Sequence, residues 1–434
     1  MWYFTMVDDK TMNPFYMSKL STLAETLVGS EIVRLGNEIN ERKKMGEKIF
    51  NFTIGDFDPS IFPIPKEFEE LIIECYQKHY TNYPPADGVA ELRTAVLHFL
   101  KEWQGLQYSL NEILIASGGR PLIYTLFKTV VDKGDKVIYA VPSWNNNHYT
   151  HITEAEHCVI EAMPENNFMP TAADIEKHIK GASLICLCTP QNPTGTTLSE
   201  KNLAEICHLI IKENNTRRDS EKKLYLMFDQ MYWTLTYGSI KHYNPVAIAP
   251  EMKEYTIFID GISKAFAATG VRVGWALGPS QIIAKMKALL THIGAWAPMA
   301  EQKATAQYLC DINAVEKHFI HFRAALAERL ERIYDGFISL KEKGYEVDAI
   351  APQAAIYLTI KFDLCGKRYE NRILETQSDV TAYLLNEARL AVVPFHAFGA
   401  SRQSPWYRLS VGTCHIKEID AFLQRLEFAL EKLN

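Results

Sequence analysis

Residues 112–141 read EILIASGGRPLIYTLFKTVVDKGDKVIYAV, and the fold class follows from this stretch. Glu112–Ser117 is a short β-rich apolar run. Pro121–Val131 has helical spacing and starts with proline, which suits a first helical position. Lys136–Val141 is a second apolar run. The pattern repeats at Ser183–Cys188, Lys223–Phe228 and Tyr255–Ile259, each short, mostly apolar and separated from the next by a helix-like stretch. Continuous rather than alternating apolar runs predict strands buried on both faces. The expected fold is therefore α/β, with a large domain built on a mostly parallel sheet flanked by helices.

After about residue 300 the pattern changes. A long helical tract over Met299–Leu340 precedes the shorter runs Ala355–Lys361 and Trp406–Val411 and a closing helix at Ile416–Leu433. This predicts a smaller α+β domain, with a helix near Ser30–Lys44 packing against it. The expected division is an N-terminal segment, 1–60, contributing to the small domain; a large domain, 61–300; and a C-terminal small domain, 301–434.

Composition sets the bounds. A chain of 434 residues is too long for one compact core, and 47% hydrophobic with 23% charged residues excludes disorder. With 46 basic against 52 acidic side chains the net charge is −6, which excludes non-specific nucleic-acid binding. No apolar run reaches about 18 residues, so no membrane span is expected. The acidic start Met1–Lys10 is unlike a secretory signal, and the eight cysteines form no CxxC pair. Reduced thiols and a cytoplasmic location follow as expectations. Cys186 and Cys188 alternate along one apolar run, which suits a buried strand better than a metal site.

In open α/β sheets ligands bind beyond the carboxyl ends of the strands. There the sequence places Gly118-Gly119-Arg120, Pro142-Ser143-Trp144, Thr189–Gly195 with Asn192, Asp229-Gln230-Met231-Tyr232, and Asp260-Gly261-Ile262-Ser263-Lys264. Two glycines before a helix offer backbone N–H groups and a positive helix end to a phosphate. Arg120 and Arg272 add charge. A carboxylate suits a protonated ring nitrogen, and a lysine suits an aldehyde. The set describes pyridoxal 5′-phosphate.

The residues Ser263–Trp275 (SKAFAATGVRVGW) resemble the cofactor-lysine signature of the class I/II aminotransferases, the aspartate aminotransferase family. Asn192-Pro193-Thr194-Gly195, Asp229-Gln230-Met231-Tyr232, Tyr83 with Gly88 and Glu91-Leu92-Arg93, and Tyr407-Arg408-Leu409-Ser410 resemble further elements of that family, in the same order. The resemblance runs from about residue 50 to the C-terminus. It implies the pyridoxal-phosphate fold type I and a ping-pong Schiff-base transfer of an amino group from an L-amino acid to a 2-oxo acid.

It also implies roles. Lys264 carries the cofactor and moves the Cα proton, Asp229 pairs with the ring nitrogen, and Tyr232 and Asn192 meet the phenolic oxygen. Trp144 stacks on the ring. Gly118, Gly119, Arg120, Ser263 and Arg272 hold the phosphate. The family often has a serine where this chain has Gly261, so one phosphate hydroxyl is expected to be missing. Arg408, helped by Gly55, clamps the substrate carboxylate beside Asn192 and Trp144. Tyr83 reaches the phosphate of a neighbouring subunit, which implies a homodimer with shared sites.

The donor stays open between aspartate-type and aromatic amino acids, with 2-oxoglutarate as acceptor. Leu289–Pro298, where the dicarboxylate-specific branch often has an arginine, offers His292 and Trp296 instead. A lyase or synthase on the same fold (a carbon–sulfur lyase or a cyclopropane-forming synthase) is the alternative, and a non-enzymatic regulator is a more distant one.

Overall fold

The computed structural model describes residues 20–27, 29 and 31–434. The readings made of Met1–Lys10 and of Ser30 lie outside the described residues. The central sheet has seven strands: β1 (Ile113–Ala116), β2 (Lys136–Val141), β3 (Glu156–Glu161), β4 (Ala182–Cys188), β5 (Tyr225–Asp229), β6 (Thr256–Gly261) and β7 (Gly274–Leu277). Their order across the sheet is β1-β7-β6-β5-β4-β2-β3. The pairs among β2 to β6 are parallel, whereas β7 runs antiparallel to both β6 and β1. β7 escaped the sequence reading because its first two residues lie inside the lysine motif and its four residues make no run of their own.

The apolar runs are strands for the reason expected, since both faces are covered. Leu114, Val137, Leu184, Met227 and Ile257 pack against Leu122, Leu126 and Phe127 of the helix Gly119–Val130 and against Met286 and Leu290. On the other face Ile113, Ile115, Ile138, Ile185, Phe228 and Phe258 join a core with Phe99, Leu203, Ile206 and Leu309. Edge strand β3 alone alternates between exposed and buried residues over its last four positions.

A second core lies under an antiparallel four-stranded sheet made of Val393–Pro394, Trp406–Ser410, Tyr357–Phe362 and Val347–Ala349. The helical tract expected over Met299–Leu340 is two helices, Met299–Cys310 and Ile312–Glu342, divided at Asp311, whose carboxylate accepts from Ala314 N at 3.0 Å. The first buries Ala300, Ala304, Tyr308 and Leu309 in the large core. The second starts there with Val315 and Phe319 and changes core at Phe322, after which Leu326, Leu330, Ile333 and Phe337 fill the second. The change of core therefore falls inside a helix, later than the 300/301 division read from the sequence. A boundary without a loop leaves no compositional mark. The helix Glu31–Lys44 packs Ile39 against Leu385 and Ala391, beside a short parallel pairing of Phe50–Asn51 with Leu390–Ala391.

Leu326 is fully buried just beyond that change of core. Leu326→Ala is expected to lower stability by about 2–5 kcal/mol, read from urea unfolding followed by far-UV circular dichroism.

Candidate active site

The site gathers where the parallel strands end. Asp229 closes β5, Gly261 closes β6, and the single helical turn Ile262–Ala265 that follows carries Ser263 and Lys264. Gly118 links β1 to the helix Gly119–Val130 with φ of 90°, a conformation that favours glycine. A Cβ on Gly118 would collide with the Arg272 guanidinium, which donates to Thr269 O at 2.7 Å and Ser117 O at 2.8 Å. The helix end, its glycine and an arginine thus form one anion cradle.

Gly274 packs on the same turn, where its Cβ would come within 2.7 Å of the Gly118 carbonyl carbon. A Cβ on Gly261 would lie 2.8 Å from both Gly274 Cα and Val273 O. The close crossing of β6 and β7 therefore explains why no serine stands at 261.

One cavity of about 320 Å³ is lined by Gly55, Gly119, Arg120, Trp144, Asn192, Asp229, Tyr232, Ser263, Lys264, Arg272 and Arg408. Gly118 is not among them; it directly precedes Gly119. Tyr83 is not among these residues: it is 82% exposed and rests edge-on against Trp296, with ring centroids 5.5 Å apart. His292 and Trp296 do not line the cavity either. Sequence reasoning missed Asp56, Thr269, Cys188 and Tyr357, which do. Thr269 sits inside the quoted stretch Ser263–Trp275, and Asp56 directly follows Gly55. Tyr357 was legible only as part of an apolar strand.

Lys264 Nζ donates to Gly55 O at 2.7 Å and lies 5.5 Å from the centre of the Phe57 ring and 5.9 Å from that of Tyr232. Burial lowers its amine from 10.5 to about 8; Asp56 opposes this, and Arg408, Arg272 and Arg120 assist it. Asp56 in turn accepts from Thr269 Oγ1 at 2.6 Å. Asp229 is pushed up to about 6 by burial, against a hydrogen bond from Met231 N at 3.1 Å.

Arg408 is 1% exposed, on a strand of the second sheet. It donates to Asn192 Oδ1 at 3.0 Å and Thr53 O at 2.6 Å, and its guanidinium carbon lies 4.8 Å from the ring centre of Tyr357 and 4.9 Å from that of Phe398. Its Nε has no partner, and among the described residues no carboxylate pairs with it. A buried, unpaired guanidinium is costly unless an anion joins it. Gly55 makes room here, since its Cβ would stand 2.9 Å from the Tyr357 hydroxyl and 3.4 Å from Arg408. Tyr232 and Tyr357 share a hydroxyl contact of 2.6 Å.

These residues fit pyridoxal phosphate. The Gly118–Arg272 cradle suits its phosphate, the raised carboxyl of Asp229 its ring nitrogen, and the lowered amine of Lys264 its aldehyde. Among the described residues no cluster of His, Cys, Asp and Glu fits a metal ion.

The profile of the aminotransferase class I and II family matches residues 47–426. An aspartate aminotransferase of Bacillus sp. (strain YM-2) is 28% identical over 383 residues, covering 88% of this chain and 92% of that protein. A probable aspartate/prephenate aminotransferase of Rickettsia prowazekii is 28% identical over 96% of this chain and 100% of its own. The crystal structure of the Rhizobium meliloti aspartate aminotransferase superposes with a TM-score of 0.87 at 25% identity, covering 96% of this chain and 100% of that one.

The low amine value has a direct test in cofactor-free protein. Reductive methylation of Lys264, followed by peptide mass spectrometry, is expected to reach half its maximal rate near pH 8. Asp56→Asn removes the carboxylate that holds the amine up, so the midpoint should fall further. A midpoint at the ordinary lysine value would refute the assignment.

Proposed function

The chain belongs to the aminotransferase class I and II family and is a pyridoxal-phosphate-dependent transaminase; from that premise we propose that it moves the amino group of an aspartate-type L-amino acid to a 2-oxo acid, 2-oxoglutarate foremost. The observation that carries the reading is the buried Arg408 guanidinium, unpaired by any carboxylate among the described residues, on the cavity that also holds Lys264 and Asp229. The relatives named above are aminotransferases, which leaves the lyase, synthase and regulator readings without support.

Bound pyridoxal phosphate supplies the electron sink that makes loss of a substrate Cα proton feasible. The chain does the rest. Arg408 takes the α-carboxylate in a charge-assisted fork and so orients Cα. Lys264, with its amine lowered to about 8, is far more readily unprotonated near neutrality than an ordinary lysine and so can receive that proton and return it. Asp229 keeps the ring nitrogen protonated. Tyr232 and Asn192 direct hydrogen-bonding groups at the phenolic oxygen, and Trp144 covers the ring. Backbone N–H groups at Gly119 and Arg120, with Ser263 and Arg272, hold the phosphate.

Arg120 suits a second task. It lies 5.3 Å from the centre of the Trp144 ring, and no carboxylate pairs with it among the described residues. It is the cavity cation available for the second carboxylate of a dicarboxylic substrate, which answers the lack of an arginine at Leu289–Pro298. The aspartate and aspartate/prephenate aminotransferases among the relatives support the aspartate reading. The exposed Tyr83 supports a homodimer in which it serves the neighbouring cavity. No helix among the described residues is long and apolar enough to cross a membrane, and a cytoplasmic location remains part of this proposal.

Purified protein should absorb at about 420 nm, as a cofactor bound to an enzyme lysine does, and Lys264→Ala should lose both that band and turnover. Amino-donor half-reactions test the substrate. Arg120→Leu is expected to reduce kcat/KM for aspartate about 10- to 100-fold while changing that for phenylalanine little. Equal losses for both donors would return Arg120 to the phosphate, and wild-type preference for phenylalanine would overturn the aspartate reading.

A further inference from the structure

A second cavity, about 630 Å³, is lined by residues that follow β5, among them Trp233, Thr234 and His242. Asp229, the last residue of β5, lines the catalytic cavity; Gln230, the next residue, is fully buried and does not line it. Gln230 Nε2 donates to Asp260 Oδ2 at 3.3 Å, and Trp233 Nε1 donates to the same oxygen at 2.8 Å. Gln230 Oε1 is then left to accept from His242 Nε2 at 3.3 Å.

That contact fixes the imidazole: Nε2 carries the proton and Nδ1 is a bare acceptor. Burial holds the ring neutral, down to about 3. His242 lines the second cavity, and its Nδ1 has no partner. Thr234, 4% exposed, lines the same space with an unpartnered hydroxyl. Gln104, at the end of the helix Ala90–Gln104, brings an amide whose oxygen and nitrogen are both unpartnered. Buried polar atoms without partners are uncommon and costly. Here three side chains contribute four of them to one cavity.

The rest of the wall is aromatic and cationic. Trp103, Trp233 and Phe319 supply ring surface, and Lys241 with Arg323 outweighs Glu200. Arg323 donates Nε to Phe319 O at 3.1 Å and has no carboxylate partner among the described residues.

We infer that this cavity is a second binding site, separate from the catalytic one, for an aromatic L-amino acid. The ammonium of such a molecule satisfies His242 Nδ1 and Gln104 Oε1 once those side chains turn toward the cavity, since both atoms are buried as they stand. Its carboxylate takes the Gln104 amide N–H, the Thr234 hydroxyl and Arg323, and its ring packs among the tryptophans. The volume falls in the range of small-molecule sites. Phe319 and Arg323 belong to the helix that passes from one core to the other. A ligand held between that helix and Gln104 therefore bridges the large unit and the start of the small one.

The test is equilibrium dialysis of labelled L-phenylalanine against holoenzyme converted to its pyridoxamine phosphate form, which reacts with oxo acids and not with amino acids. Saturable, stoichiometric binding is expected, together with a rise in the melting midpoint as phenylalanine is added. Gln104→Leu removes the amide, and Ala247→Trp fills the cavity from an exposed wall position without losing a buried polar group. Each should weaken binding at least about tenfold and leave aspartate turnover, measured without phenylalanine, unchanged. No saturable binding in the wild type up to about 10 mM overturns the proposal. So does undiminished binding in both variants, which would assign the phenylalanine to the catalytic cavity. The readout is binding, so an error in the aspartate reading does not decide it.

Discussion

Four cationic side chains, Arg120, Lys264, Arg272 and Arg408, line one cavity of about 320 Å³ beside only two carboxylates, Asp56 and Asp229. Like charges gathered in a poorly hydrated space repel one another strongly. The folded chain therefore has to hold them in place by other means. Arg272 is tied to backbone carbonyls of Ser117 and Thr269, and Arg408 to Thr53 and Asn192. Lys264 is tied to Gly55. These anchors come from both cores, so the two units must meet at this cavity for the charges to be held at all. The same arrangement suits a phosphate and a carboxylate.

Much of this was legible in the sequence, and the limits have physical reasons. β2, β4, β5 and β6 were readable because burial on both faces leaves an uninterrupted apolar run. β7 was not, because its contacts depend on glycines 261 and 274 crossing closely, which no periodicity records. That Lys264 and Asp229 share one cavity was readable because both stand where apolar runs end. Asp56 was passed over, although it lies beside the quoted Gly55, because its effect on Lys264 is electrostatic and acts across the fold. Tyr357 was hidden in a strand whose other residues are core; its hydroxyl became meaningful only when Tyr232 was placed against it.

The acidic total of the chain gave no guidance about the cavity. Surface carboxylates are mostly solvated or paired with nearby lysines, as Glu74 is with Lys78 and Asp348 with Lys341. Such pairs contribute little to stability and nothing to the site. What matters is how few acids are buried at the strand ends. Asp229 and Asp260 are such a pair, one on each side of the sheet. Asp260 is also pushed up by burial, to about 7, while hydrogen bonds from Gly261 N, Gln230 and Trp233 draw it back. The sheet thus carries a polar network on the face away from the catalytic cavity, one residue along from the groups that face it.

The two shifted groups of the catalytic cavity also make its cofactor-free form a strained one near neutral pH. Lys264 has a folded value near 8, below the 10.5 of an ordinary lysine, so its charge opposes folding below pH 8 and this opposition fades as pH rises from 8 to 10.5. Asp229 has a folded value near 6, above the ordinary 3.8, so its charge opposes folding above pH 6 and the opposition fades as pH falls from 6 to 3.8. Between pH 6 and 8 both penalties stand together, each on the order of 3 kcal/mol at most. Under the proposed function, a ring nitrogen sharing its proton with Asp229 and an aldehyde neutralising the Lys264 amine would remove both at once. The strain falls on the two groups that such a cofactor would relieve, so the cavity would bind it through what its own residues lack as much as through what they offer.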